Sequence, residues 1–283
     1  HFAYWPGVFV PSYPLYFIGN KIFHYFDIRW LLIIFFVITV GVLYHLPEQH
    51  GRRRLLVILF AFNPLFVAPL TMGHNEIIIY FWLALSLYFL KTSRWRWAVF
   101  SLALACLTKQ TAWFLVPFFI LYLGGRLMMT EKRIARVIRS MFKIAWPSIL
   151  IGVVLLLPFL LWDLTAFIDD TILYPAGGGS SGYSIAGVGF SMMLREGGGI
   201  SSIFDQYPFW IWQLAVGLPL LVGLCYWQKR HNTLAQLMFN YALWLFAIWF
   251  FSRYFHVSHL GYVLGAVFIA YLIQERTLKS AKI

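Results

Sequence analysis

The sequence predicts an all-α protein, a polytopic transmembrane helix bundle of about nine spans with one long exterior loop. Composition is the first indication. Hydrophobic residues fill 61% of the 283 positions and charged residues only 11%, against about 25% charged in a soluble domain, and mean hydropathy is +0.75. The second is a series of apolar runs close to membrane-spanning length. The third is charge placement, because lysines and arginines cluster in alternate gaps between the runs while carboxylates gather in the others. A soluble fold is excluded. The net charge of +12 flanks apolar runs instead of lining one face, so anionic lipid headgroups, and no nucleic acid, are its neighbours.

In chain order the apolar spans fall at 30–46, 55–70, 77–90, 97–107, 112–123, 144–162, 209–227, 234–251 and 260–273, within a single domain covering 1–283. A helix crossing a ~30 Å hydrocarbon core needs about 20 residues. The spans at 97–107 and 112–123 are shorter, so the turn carrying Lys109 is expected to sit in a cavity inside the protein rather than in open water.

Orientation follows from the gaps. One side receives 17 of the 22 basic residues, among them Arg52, Lys91, Arg126, Lys132, Lys229, Arg230, Arg276, Lys279 and Lys282; the other receives 7 of the 10 carboxylates. The gap at His74, the turn at Lys109, the loop 163–208 and the segment 252–259 therefore face the exterior. The stretch 1–29, rich in Tyr, Trp, Phe and Pro, reads as interfacial; it opens at His1 without Met and needs a preceding helix to reach the exterior, which implies upstream sequence. The basic segment 126–143 carries Leu127, Ile134, Val137, Ile138 and Met141 at helical spacing and predicts a cytoplasmic interfacial helix. Cys106 and Cys225 lie in separate spans near opposite faces, too far apart to pair.

Candidate chemistry gathers on the exterior face. His74, Asn75 and Glu76 stand at the start of a span; Glu76 suits the positive end of the helix dipole, and equally suits orienting a sugar hydroxyl. Lys109 and Gln110 lie between the two short spans, where an ammonium either snorkels or holds an anionic phosphate. Arg253, Tyr254, His256 and His259 occupy the late segment S-R-Y-F-H-V-S-H, and Arg and His both recognise phosphate. The loop 163–208 has glycines at 177–179, 182 and 197–199 but lacks G-K-[ST] and a preceding strand, so it is not a nucleotide phosphate loop; its length suits a lid, with the glycines as hinges and 190–194 dipping into the membrane surface. Asp169 and Asp170 read as solvated loop acids. No metal-ligand spacing is present; a divalent metal requirement is left open and no cofactor is indicated.

The order of these motifs, from the Y-W-P segment through G-H-N-E, the T-K turn with W-F-L-V-P and the long exterior loop to S-R-Y-F-H, resembles the GT-C superfamily of integral-membrane glycosyltransferases. The resemblance implies transfer of a mannose-like hexose from a polyprenyl-phosphate donor to an acceptor glycan, lipid or protein on the exterior or lumenal face of the plasma (inner) membrane or endoplasmic reticulum. It implies that Lys109 and Arg253 contact the lipid phosphate, with His256 assisting, and that Glu76 sits near the sugar. The family's main acid lies in the first exterior loop, upstream of the residues here, so the catalytic base is unassigned. The alternative reading is a multi-pass transporter or flippase of lipid-linked or anionic substrates. It predicts an internal repeat with matching broken helices, and the break at Lys109 has no counterpart near Tyr241.

Overall fold

The computed structural model describes residues 4–131, 133–178 and 182–273. His1, Lys132, Gly179, Arg276, Lys279 and Lys282, all used above, lie outside the described residues. A short 3-10 turn, Pro6–Val8, leads into α1 (Phe9–Phe23). Then come α2 (Arg29–Tyr44), α3 (His50–Ala61), α4 (Pro64–Thr71), α5 (Glu76–Lys91) and α6 (Trp95–Thr108). A second 3-10 segment, Gln110–Leu115, joins α6 to α7 (Val116–Met128), which is followed by α8 (Ile134–Trp162).

The stretch 163–208, expected as an exterior loop, is not a plain loop. It contains α9 (Leu164–Ile168), a π-turn at Asp169–Leu173, α10 (Tyr174–Ala176), the two-residue strand β1 (Ala186–Gly187) and α11 (Phe190–Glu196). The chain ends with α12 (Phe209–Arg230), α13 (Leu234–Phe250), β2 (Tyr254–Phe255) and α14 (Val257–Leu272). Strand β1 pairs in parallel with β2, Ala186 opposite Tyr254 and Gly187 opposite Phe255.

By length and composition three helices suffice to cross a membrane: Gln110–Met128 taken together, α8 and α12. The pair α3 and α4 adds a fourth if counted as one span bent by 48°. Helices α2, α6, α13 and α14 are apolar but shorter. Only 6% of the apolar window of α8 is buried within the protein, and Ile149, Val153, Val154, Leu157 and Leu161 point outward. An outer surface of that kind suits hydrocarbon, and the apolar helices mark a membrane protein. Helix α5 is the opposite case. Its 16 residues rise only about 24 Å, yet Ile77, Ile78, Ile79, Tyr80, Leu83 and Ala84 are all buried. It is a central strut covered by α2 and α6.

Two expectations change here. The run 55–70 is broken at Phe62 and Asn63 because Pro64 starts a new helix and Asn63 caps it, its side chain accepting the Leu65 N–H at 3.2 Å. The basic segment 126–143 is divided: Arg126 to Met128 finish α7, and 134–143 are the first turns of α8, continuous with the span.

The break in α3–α4 lets α14 approach closely. Asn63 donates to the Gly261 carbonyl at 3.1 Å, and a Cβ on Gly261 would lie 2.3 Å from the Leu65 carbonyl oxygen. Deeper in, three buried tyrosines tie the helices together. The Tyr80 hydroxyl donates to the Tyr262 carbonyl, the Tyr241 and Tyr262 hydroxyls lie 2.8 Å apart, and Tyr241 donates to the Thr111 carbonyl at 3.3 Å. Tyrosine is tolerated at this depth because each hydroxyl has a partner.

Gly261→Ala is expected to destabilise the protein by about 1–3 kcal/mol, the usual cost of overpacking a tight contact. The check is a lowered thermal unfolding midpoint in detergent; an unchanged midpoint would show that α14 and α4 can separate freely.

Candidate functional site

The N-terminal aromatic segment lies on the junction between α6 and the 3-10 segment after it. The Trp5 N–H donates to the Thr108 carbonyl at 3.3 Å. Its indole packs on Trp113 and Phe167, with ring centroids 5.3 and 5.6 Å away. Between α6 and Gln110, Lys109 adopts an extended backbone, φ −159° and ψ 147°, which ends the helix and turns its side chain toward the start of α5.

There its ammonium meets Glu76. Lys109 Nζ lies 3.2 Å from Glu76 Oε1, and only 16% and 8% of the two side chains are exposed. The Tyr4 ring lies 5.1 Å from the same ammonium, a cation-π contact that adds to the pair. His74 Nδ1 stands 3.9 Å from Glu76 Oε2, too long for a hydrogen bond but close enough to feel the charge. The His74 ring faces that of His256 at 6.2 Å. Tyr254 stacks on His256 with centroids 5.8 Å apart and lies edge-on to Tyr183 at 4.9 Å. Burial pushes the Tyr254 phenol up to about 12, so it keeps its proton at neutral pH.

His259 sits one turn into α14, over Trp249 at 4.4 Å. Its Nδ1 accepts the His256 backbone N–H at 3.0 Å as half of a capping box. Accepting there requires a lone pair on Nδ1, which leaves Nε2 as the proton-bearing nitrogen. The arrangement can therefore present an acid, an ammonium, imidazoles and phenols to one polar ligand.

The structure gathers His74, Glu76, Lys109, Tyr254, His256 and His259 into this one constellation. Asn75 precedes α5 without a side-chain cap and lines, with Gly73 and Tyr13, a cavity of about 400 Å³ beside it. Gln110 works as a tether, its Nε2 donating to the Thr171 carbonyl of the stretch 163–208 at 2.7 Å.

Arg253 is placed differently from the expected open phosphate ligand. It is 3% exposed and each guanidinium nitrogen donates to a carbonyl: Nε to Tyr183, Nη1 to Asp205 at 2.7 Å and Nη2 to Ile203 at 3.3 Å. Gly177, with φ +88°, lies against it, and a Cβ there would fall 2.4 Å from Nη1. Only glycine accepts both constraints cheaply. Arg253 thus fastens the stretch 163–208 to the α13–α14 corner. Nor does the segment 190–194 point away as a free dipping turn: Phe190 packs on Trp212 and Phe251 at 5.2 and 5.1 Å.

Tyr4 and Tyr183 belong to the site but were not singled out from the sequence. The aromatic richness of 1–29 pointed toward Tyr4; nothing local pointed to Tyr183. Asp170 lines a second cavity of about 560 Å³ with Tyr4, Phe159 and Trp162. Among the described residues no group of three His, Cys, Asp or Glu side chains converges to hold a metal ion.

The Glu76–Lys109 pair generates a first expectation. Removing one partner of a buried pair leaves an uncompensated charge and costs about 3–5 kcal/mol. Glu76→Gln and Lys109→Met should each lower the unfolding midpoint, and the double variant should recover much of the loss. Additive losses would mean that the two charges are not coupled.

Asp205 generates a second. Hydrogen bonds from the Ser202 backbone, then the Ser201 hydroxyl and backbone, hold its carboxyl below the ordinary carboxylate range. A carboxyl depressed in the folded state stabilises above its unfolded value and loses that effect as pH falls through the folded value. Pepsin cleavage within 182–208 should therefore rise as pH drops below about 4, and Asp205→Asn should remove most of this pH dependence. Equal pH dependence in the variant would assign the effect to other groups.

Residues 16–125 match the family described as alpha-(1->6)-mannopyranosyltransferase, N-terminal domain. No curated protein and no solved structure matches the chain. The matched stretch includes His74, Asn75, Glu76, Lys109 and Gln110 and supports a mannose-transferring membrane glycosyltransferase.

Proposed function

We propose that the protein transfers a mannose-like hexose from a polyprenyl-phosphate donor to an acceptor on the exterior face of a membrane that it crosses about nine times. The observation that carries this reading is the Glu76–Lys109 pair, ringed by Tyr4, His74 and His256. It stands within the stretch similar to mannopyranosyltransferases, at the carboxylate-rich end of the apolar helices.

A sugar leaving from a phosphodiester hands negative charge to the departing phosphate. An ammonium held in a site of low dielectric stabilises that charge strongly. Lys109 supplies it, taking the phosphate oxygen as a partner in competition with Glu76. Glu76, freed or shared, accepts hydrogen bonds from hexose hydroxyls, while Tyr254 donates and the Tyr4 and Tyr183 rings offer apolar faces for a pyranose. His256 and the Nε2 of His259 add donors around the same space. The group that deprotonates the acceptor is not assigned to any of these residues. Arg253 acts through position, holding the exterior stretch over the cluster so that water is excluded.

The test is transfer of labelled mannose by the full-length protein in liposomes. The donor is polyprenyl-phosphate mannose, with a nucleotide-linked mannose as the comparison. Lys109→Met is expected to lower turnover about 100-fold or more, and Lys109→Arg to retain a measurable part. Near-normal turnover of Lys109→Met, or equal use of the nucleotide donor, would overturn the reading; movement of the lipid-linked sugar across the bilayer without transfer would favour a flippase.

A further inference from the structure

The end of the molecule opposite the exterior cluster holds the largest of the cavities described here, about 720 Å³, between α7, the first turns of α8 and the corner joining α12 to α13. It is unrelated to the candidate site. Its walls and its rim differ in chemistry. From α8, Ile134, Ile138 and Met141 face it at spacings of four and three residues, and from α7 come Ile120, Leu121 and Met128. Ile134 and Ile138 are 65% and 62% exposed, so this apolar wall has no protein cover among the described residues.

The rim is cationic. Lys229 and Arg230 close the last turn of α12 and line the cavity. Arg230 lies over the Tyr226 ring at 4.6 Å, which fixes its stem and leaves the guanidinium edge for hydrogen bonding. Among the described residues no carboxylate lies within ion-pair distance of either cation.

Depth follows from α8. Its 29 residues rise about 44 Å, well beyond a ~30 Å hydrocarbon core. The first turns, which carry Arg136, Arg139 and Lys143, therefore stand at headgroup level, and the apolar run from Ile144 onward enters the acyl region. A lateral cavity that is apolar on its walls, cationic at its rim and placed across the headgroup boundary complements one kind of occupant. Basic pockets between helices on the positively charged side of membrane proteins take phosphate headgroups.

We infer that this cavity binds an anionic glycerophospholipid of the leaflet on the basic side. Its phosphate lies against Lys229 and Arg230 and an acyl chain lies between α7 and α8. The site would make stability, and through α7 the position of the 3-10 segment that follows Lys109, responsive to the lipid composition of that leaflet.

The experiment is native mass spectrometry of the full chain released from detergent micelles after addition of phosphatidylglycerol or phosphatidylcholine at equal concentration. The expected result is one tightly held phosphatidylglycerol, about ten-fold more abundant than the phosphatidylcholine adduct. Lys229→Gln with Arg230→Gln should erase the preference, and Ile138→Trp, which fills the cavity while keeping the cations, should reduce both adducts. Excess glycerol 3-phosphate should compete poorly, since it lacks the chain; strong competition would mean a free-phosphate site and overturn the lipid assignment. Equal adducts unaffected by the variants, or no adduct at all because another part of the chain or a second copy fills the cavity, would also overturn it. Circular dichroism of each variant separates loss of binding from loss of fold.

Discussion

A lysine and a glutamate that meet out of water, 3.2 Å apart, set the geometry of the end of this protein where α5 begins and α6 ends. Neither charge is affordable alone at that depth, because the cost of burying an ion is repaid only by a close partner. The pair therefore fixes the start of α5 against the break between α6 and the 3-10 segment. That break exists for the same reason: an α-helix continued through Lys109 would carry the ammonium round to another face. The Tyr4 ring and the aromatic packing of Trp5 on Trp113 and Phe167 then shield the pair from water, which strengthens every electrostatic contact inside.

The stretch 163–208 is held to this centre from two sides. Gln110 grips the Thr171 carbonyl, and Arg253 collects the carbonyls of Tyr183, Ile203 and Asp205. Five fixed donors in one plane suit an arginine to gathering carbonyls from separate turns. The short parallel pairing of β1 with β2 adds backbone hydrogen bonds next to it. A stretch attached this way is positioned by a few polar contacts, and such segments open at lower cost than a helical core. The same attachment brings Tyr183 edge-on to Tyr254.

Much of the fold was legible because the membrane imposes a strong pattern. Long apolar runs must be helical where no water can satisfy the backbone, and the helices α2, α5, α6, α8, α12, α13 and α14 appear where those runs were. The break at Asn63 was also written in the chain, as Asn followed by Pro, but its signal was swamped by the apolar residues on either side. The continuous α8 was hidden for the opposite reason: basic residues at 136, 139 and 143 look like a boundary, although long cationic side chains can ride along a helix at headgroup depth. Within the site, the displaced lysine at 109 and the His74–Glu76 segment stood out as ionisable groups in apolar surroundings. Tyr183 did not, since one tyrosine among 16 carries no local mark of what it will face.

The sequence by itself determined the helical, apolar character of a membrane protein and the uneven placement of charges along the chain. Those properties depend on composition and order alone. The tertiary structure decided how the polar residues divide their work. Lys109 and Arg253 are both cations in short segments between apolar helices, and nothing local separates them. One finds a carboxylate and an aromatic ring beside it, and the other finds only backbone carbonyls. The same charge becomes part of a buried ion pair in the first case and a fastening of backbone carbonyls in the second, because a buried ion is defined by the partners that the rest of the chain brings to it.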